Sequence, residues 1–235
     1  MPLHLIHGPP NSGRAGLVRE RFEAALERDP VLVVPTLDDV HWFERELAAG
    51  GAMLGATTTT FRGLFRLVAA AAGAPSAAEM TSAQRRRAVA LAVEDSQRRL
   101  GPLRRSAARP GFPIAFERLL DELQGAGLDP EDVEAGAGTL EGSAYLGDVA
   151  AVFSAYAEVR DRLGLADAHG VARDAVALVG EQPDSWDRPV FLYGLDDLTV
   201  NQFDLLAALA SSSDVTVALP YEDGNPALAA RASLL

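Results

Sequence analysis

The opening stretch constrains this chain more than any other. Leu3 to His7 is a short apolar run that stops at Gly8, and Gly8-Pro-Pro-Asn-Ser-Gly13 follows it with turn-forming residues only. Beyond Gly13, Leu17, Val18, Phe22, Ala25 and Leu26 recur at helical spacing as far as about Arg28. A strand that enters a glycine turn and leaves as a helix needs another strand beside it, because one strand cannot satisfy its own backbone. The next residues supply it. Val31 to Val34 is an unbroken apolar run of the kind buried in parallel sheets. Thr36-Leu-Asp-Asp39 predicts a capped helix with Val40, Phe43 and Leu47 inward, closed by Gly50-Gly51. Met53 to Thr59 reads as a third strand, and Thr60 opens another helix. Strands that alternate with helices in this way predict a parallel α/β sheet.

From Pro75 to about Pro183 the strand signals stop. Thr81-Ser-Ala-Gln84 is a capping box for a helix through Leu100. Pro113 to Gln124 carries Phe116, Leu119, Leu120 and Leu123 on one stripe, and Asp148 to Leu163 and Val171 to Val179 predict two more helices. The α/β pattern then resumes with a strand at Pro189 to Leu195, a helix at Asn201 to Leu209 and a strand at Val215 to Leu219. The expected organisation is therefore a first α/β half over 1–74, an inserted helical subdomain over 75–187 and a truncated second half over 188–235. Tyr221 to Leu235 brings no clear finishing element, which suggests a fragment of a longer chain.

Composition narrows the chemistry. Apolar residues make up 48% of 235, enough for a core. The net charge of −12 argues against a protein that coats nucleic acid over its whole surface. With no cysteine, disulfides, thiolate zinc sites and iron–sulfur clusters are excluded. Met1 to Gly8 is too short for a signal peptide, and the best apolar run, Leu64 to Ala72, is interrupted by Arg66, so a soluble cytoplasmic protein with no membrane partner is expected. His4, His7, His41 and His169 share no metal-ligand spacing, and Trp42 and Trp186 read as packing residues. Lysine is absent, so every base among the 21 Lys and Arg residues is arginine. Eight of these (Arg85, Arg86, Arg87, Arg98, Arg99, Arg104, Arg105 and Arg109) face only Glu94 and Asp95 within one segment. Such a concentration suits DNA phosphates, read without sequence preference; the alternative is a solvated helix face followed by a flexible basic loop.

The first turn matches the spacing of a phosphate-binding loop: glycine, four residues, glycine, lysine, then serine or threonine. Here it reads Gly8-Pro9-Pro10-Asn11-Ser12-Gly13-Arg14-Ala15. Gly8, Asn11, Ser12, Gly13 and Arg14 are the candidate phosphate-binding residues. Arg14 keeps the charge but offers a broad planar fork in place of a compact ammonium. Ala15 lacks the hydroxyl that holds magnesium. Backbone N–H groups at the helix start could still attract an anion, so ATP with magnesium is expected to bind weakly if at all, and no cofactor is firmly implied. The alternative is a plain glycine turn without a ligand. A hydrolysing site also needs two carboxylates at the end of a second strand. The candidate segment is Val190-Phe-Leu-Tyr193-Gly194-Leu195-Asp196-Asp197, with Gln202 beyond it.

That segment resembles a known pattern. Helicases similar to UvrD carry an apolar strand, Asp-Glu, an aromatic residue, Gln-Asp and a later Gln. Laid on this chain, Asp197 takes the place of the last Asp, Gln202 that of the later Gln, and the essential acidic pair falls on Tyr193 and Gly194. AddB-like subunits, relatives that have lost helicase chemistry, look like this. Val31-Leu-Val-Val-Pro35, Thr57 to Leu64 with Arg62 in place of histidine, Leu120-Asp-Glu-Leu with Gly127-Leu-Asp-Pro-Glu131, Tyr156 with Leu163-Gly and Asp167, and Val217-Ala-Leu-Pro220 extend the likeness in order along the chain.

The resemblance to the AddB-like and UvrD-like helicase–nuclease family implies a superfamily 1 motor-like fold with a helical insertion. It also implies a catalytically inert scaffold that binds DNA and a partner helicase subunit of the AddA type. The family's nuclease, with its Asp and Glu-x-Lys ligands, lies in a later domain, and a segment without lysine cannot supply it. Asp196-Asp197 as a displaced acidic pair would instead make an active ATPase. A protein-interaction module is the third reading.

Overall fold

The computed structural model describes residues 3–49, 55–73, 78–137, 143–226 and 228. The chain begins with β1 (Leu3–Gly8), α1 (Arg14–Ala24), β2 (Val31–Val33), α2 (Leu37–Ala49), β3 (Thr57–Thr59) and α3 (Phe61–Ala71). Then follow β4 (Ala78–Glu79), α4 (Ser82–Ser96), α5 (Arg104–Ala107), α6 (Phe112–Gly125), α7 (Pro130–Ala137) and α8 (Ser143–Leu163). It continues through β5 (Leu165–Ala166), α9 (Ala168–Glu181), β6 (Val190–Tyr193), α10 (Val200–Leu209) and β7 (Val215–Pro220). The chain divides into two compact units. Met1–Pro75, Ala172–Leu198 and Gln202–Leu235 make the first, and Ser76–Val171 with Thr199–Asn201 the second.

The first unit is built on a five-stranded sheet in the order β1-β7-β6-β2-β3, parallel at every pairing. Its inner strands β2, β6 and β7 are buried on both faces, as parallel sheets require, whereas the edge strand β1 is partly exposed. On one face Ile6, Leu32, Phe191 and Ala218 pack with Val18 and Phe22 of α1 and Val40, Phe43 and Leu47 of α2. The intervening residues Leu5, Val217 and Leu219 point the other way, towards Leu206 of α10. Because the strands are parallel, β1, β6 and β2 all end at the same edge of the sheet. The Thr36 box forms as its sequence demands: the Asp39 N–H donates to Thr36 Oγ1 at 3.1 Å, and the Thr36 N–H donates to Asp39 Oδ2 at 3.1 Å.

The second unit is helical around one core of Met80, Val89, Val93, Phe116, Leu120, Val149, Phe153 and Tyr156, among others. The Thr81 capping box is complete. Several expectations are corrected. Strands were not expected here, yet Ala78–Glu79 pairs parallel with Leu165–Ala166, a ladder too short to carry any periodic signal. The helix expected to run through Leu100 ends at Ser96, where the Ser96 hydroxyl donates to the Ala92 carbonyl at 2.7 Å. Helix α8 starts at Ser143 rather than Asp148, and α5 and α7 were not anticipated. The return to the first unit falls inside α9, at Ala172, and not at 188. Gly50-Gly51, Met53, Pro75 and most of the terminal segment from 227 onward lie outside the described residues. Among the described residues, no helix is long and apolar enough to cross a membrane.

Candidate functional site

The turn after β1 is held tightly by its own residues. Asn11 and Gly13 both adopt left-handed backbone, with φ of 62° and 81°. The Ser12 N–H donates to the Pro9 carbonyl at 3.2 Å, closing the turn. A Cβ at Gly8 would lie 2.7 Å from Ser12 Oγ, so a side chain there would make the Ser12 hydroxyl rotate away. Gly13 caps α1 without a side-chain hydrogen bond, which leaves the first N–H groups of the helix without a side-chain acceptor. Arg14 turns back over the loop and donates from Nη1 to the Gly8 carbonyl at 2.7 Å. That carbonyl also accepts from the Tyr221 N–H at 2.9 Å. The Gly8 carbonyl is thus satisfied twice from within the chain, by Arg14 and by Tyr221.

Strand β6 ends at the same edge, separated from β1 by β7 alone, a distance of about 10 Å at ordinary strand spacing. Tyr193, on which the expected resemblance would put the first carboxylate, is half-buried and meets the Phe43 ring edge-on at 5.6 Å. Gly194 has φ of 78°, and a Cβ there would touch Pro35 at 3.4 Å. Packing, not chemistry, occupies both positions. Asp196 and Asp197 follow in irregular, exposed chain, and Asp197 Oδ1 accepts from the Leu198 N–H at 2.8 Å. Gln202 stands in the first turn of α10.

Magnesium, which a triphosphate-hydrolysing loop would require, does not fit these residues. Ala15 has no hydroxyl, and the strand end that should carry carboxylates carries an aromatic ring against Phe43 and a glycine against Pro35. Among the described residues, no group of three or more His, Asp or Glu side chains could hold a metal ion.

The arginines of the basic segment separate into two sets. Arg85 turns inward, with its side chain 12% exposed; Nη2 donates to Asp121 Oδ1 at 2.6 Å and to Gln124 Oε1 at 3.1 Å. Its charge serves the interior of the second unit. Arg86 is 72% exposed and sits 3.7 Å from Glu117. Arg87, Arg98, Arg99, Arg104, Arg105 and Arg109 are exposed. The stretch that the alternative reading gave as a loop contains a short helix. Helix α5 forms at Arg104–Ala107, and Leu100, Leu103 and Ala107 are buried in the core.

A buried polar network in the second unit is centred on Tyr156 and Asp167, which the sequence offered only as points of family likeness and not as bonded partners. Asp167 accepts from the Tyr156 hydroxyl at 2.8 Å, from Gln124 Nε2 at 3.0 Å and from the Gly170 N–H at 2.6 Å, so it also caps α9. Burial pushes its carboxyl up, but the bonds from Gln124, Gly170 and Tyr156 and the nearby Arg85 outweigh this and hold it below the usual range. Burial, then Asp167, pushes the Tyr156 phenol up. Burial pulls His169 down, against the opposing pull of Asp167, and its ring lies 3.5 Å from Asp121. The usable signal was local: Asp167 stands three residues before Gly170, at the start of a helical pattern.

These features define a parallel α/β protein with a helical second unit and a glycine turn at the carboxyl edge of its sheet. No protein-family model and no curated protein matches the sequence.

Proposed function

We propose that this chain is a non-hydrolysing, helicase-like scaffold of the AddB type, which holds DNA and a partner helicase of the AddA type in a repair or recombination complex. The observation that carries the reading is the state of the β1 turn: it has phosphate-loop spacing, no hydroxyl at Ala15, and an Arg14 side chain bonded back to the Gly8 carbonyl at 2.7 Å. The parallel sheet supports it, because the turn and Tyr193-Gly194 share one edge, the arrangement a motor domain needs for its two half-sites. The Tyr193–Phe43 contact supports loss of hydrolysis at the second half-site. The exposed arginines of the second unit support a sequence-independent DNA contact. The partner follows from the family resemblance.

The test is a titration with a non-hydrolysable ATP analogue, with and without magnesium, followed by calorimetry. Absent or millimolar binding that ignores magnesium is expected. Micromolar, magnesium-dependent binding, or turnover of ATP in the presence of DNA, would overturn the proposal in favour of an active ATPase.

A further inference from the structure

We infer that the free edge of β1 takes up an extended peptide strand from a partner protein, one that carries apolar side chains on one face and carboxylates on the other. The surface belongs wholly to the first unit and does not rest on the DNA or nucleotide reading.

Strand β1 is the outermost of its sheet, and among the described residues it pairs with β7 alone. The Gly8 carbonyl accepts from the Tyr221 N–H, just beyond β7, so the backbone of Gly8 faces β7. Backbone direction alternates along a strand. His4 and Ile6 therefore turn the same way as Gly8, and the N–H and C=O groups of Leu3, Leu5 and His7 face outward. The ladder runs unbroken from Leu3 opposite Val215 to Gly8 opposite Pro220, so no bulge twists the edge away. Leu3-His-Leu-Ile-His-Gly8 contains no proline, arginine, lysine or acidic residue. A six-residue edge without any of these guards is a template for another strand. The opposite edge shows the contrast: β3 is three threonines long, and Thr57 Oγ1 accepts from Arg188 Nη2 at 2.8 Å.

The two faces of β1 select the strand. On one face, Leu3 and Leu5 line a groove of about 280 Å³ with Val217 and Leu219 of β7 and Phe203 and Leu206 of α10. Every side chain around it is apolar. Leu3 is 60% exposed and Phe203 56%, a large apolar surface left to water beside unpaired backbone. On the other face, His4 borders a hollow of about 350 Å³ that also holds Arg21 and the Arg28–Asp214 pair. Asp214 neutralises Arg28 at 2.6 Å, whereas Arg21 has no ion pair or side-chain hydrogen bond among the described residues. One uncompensated positive charge is left there.

A strand laid along β1 puts alternate side chains on these two faces. Apolar residues fit the first and carboxylates the second. The main chain supplies affinity and the two faces supply specificity, as in other strand additions. A second copy of β1 matches less well, because it would bring His4 to the basic face, where no negative charge results. A small apolar ligand would fill the groove and leave the edge groups of Leu3, Leu5 and His7 unpaired.

Fluorescence anisotropy with the full chain tests this. The probe is a fluorescein-labelled peptide of alternating valine and glutamate, about eight residues long. It should bind at least about tenfold more tightly than a peptide with the same residues grouped in two blocks, since only alternation puts every valine on the groove face. It should also bind more tightly than an alternating valine–lysine peptide, against the general pull of a net charge of −12 on cations. Arg21→Glu should invert that order. Phe203→Ser should weaken binding about fivefold or more. Both residues are exposed, so melting temperatures should move by less than about 3 °C. Alternate amides of the bound peptide face β1, so N-methylating one of the two alternate sets should abolish binding and N-methylating the other should leave it intact.

Equal binding of the alternating and block peptides, or tolerance of both methylated sets, sinks the strand pairing. Indifference to Phe203→Ser sinks the groove, and indifference to Arg21→Glu sinks the choice of an acidic strand. Sedimentation in which the chain dimerises by itself, with Leu3→Lys returning it to monomer, gives the edge to a second copy and overturns the proposal. None of these outcomes touches the non-hydrolysing or DNA-binding reading, which stands or falls on nucleotide and DNA titrations.

Discussion

The buried carboxylate of Asp148 accepts a hydrogen bond from the backbone N–H of Leu103 at 2.7 Å, across 45 positions of sequence, and so fixes the turn between two helices that carry free arginines. Replacing Asp148 with alanine leaves the buried N–H of Leu103 without an acceptor and turns that of the exposed Gly101 over to water. A buried orphan N–H costs about 1–3 kcal/mol, so Asp148→Ala should destabilise the second unit by about 2 kcal/mol and lower its melting temperature by roughly 8 °C or more. Thermal melts followed at the helical band check this. A shift of less than about 3 °C would show that the turn does not depend on the carboxylate.

Acid should weaken the second unit in two stages. The His169 pKa is lowered from 6.5 and the Asp167 pKa from 3.8. Both groups therefore contribute stability that is present above their unfolded values and is lost as pH falls through the folded ones. For His169 the loss begins below pH 6.5, where the unfolded chain takes up a proton first. For Asp167 it begins below pH 3.8. Urea midpoints measured from neutral pH downward should show both stages, and His169→Gln should flatten the first. An unchanged slope in that variant would remove His169 from the account. Alkali acts through Tyr156, whose raised pKa means that stability is lost above pH 10.0, the ordinary value for the phenol.

Tyr193 is held by an aromatic contact at the end of its strand. Its ring meets Phe43, which in turn meets Trp42 edge-on at 4.7 Å. Tyr193→Phe should change stability by less than about 0.5 kcal/mol, because the ring contact is what counts. Tyr193→Asp should cost about 2–3 kcal/mol, through the lost ring and the half-buried charge. Chemical denaturation of the two variants compares them directly. Equal stabilities would mean that the aromatic contact is idle.

Giving the turn the full phosphate-loop sequence should not confer catalysis. The double substitution Arg14→Lys and Ala15→Ser rebuilds the loop motif and frees Gly8 from the 2.7 Å arginine bond. With Tyr193 and Gly194 still at the strand end, no pair of carboxylates is available to hold the metal and polarise water. A phosphate-release assay should show no magnesium-dependent turnover above background in the double variant. Turnover in it would mean that Asp196 or Asp197 completes the site.

The alternation of strands and helices was legible because it is local. Val31–Val33, Val190–Tyr193 and Val215–Pro220 are apolar runs bounded by Pro, Gly or Asp, and a buried parallel strand needs no more than that. The Thr36 and Thr81 boxes were legible for the same reason, since cap and partner lie three residues apart. The ladder between Ala78–Glu79 and Leu165–Ala166 joins two-residue strands from distant parts of the chain and leaves no pattern in either.

By itself, the sequence determined the α/β class, the glycine turn, and the absence of a hydroxyl at position 15 and of carboxylates at 193 and 194. Each of these is a statement about a residue's identity or about its near neighbours. Tertiary structure alone decided which arginines are free. Arg85 and Arg104 are the same residue type in the same basic segment, yet one is buried against Asp121 and Gln124 and the other lines an open groove. That difference depends on where α6 and α8 bring their polar groups, because a guanidinium is satisfied by whatever acceptor lies within reach, however distant in sequence.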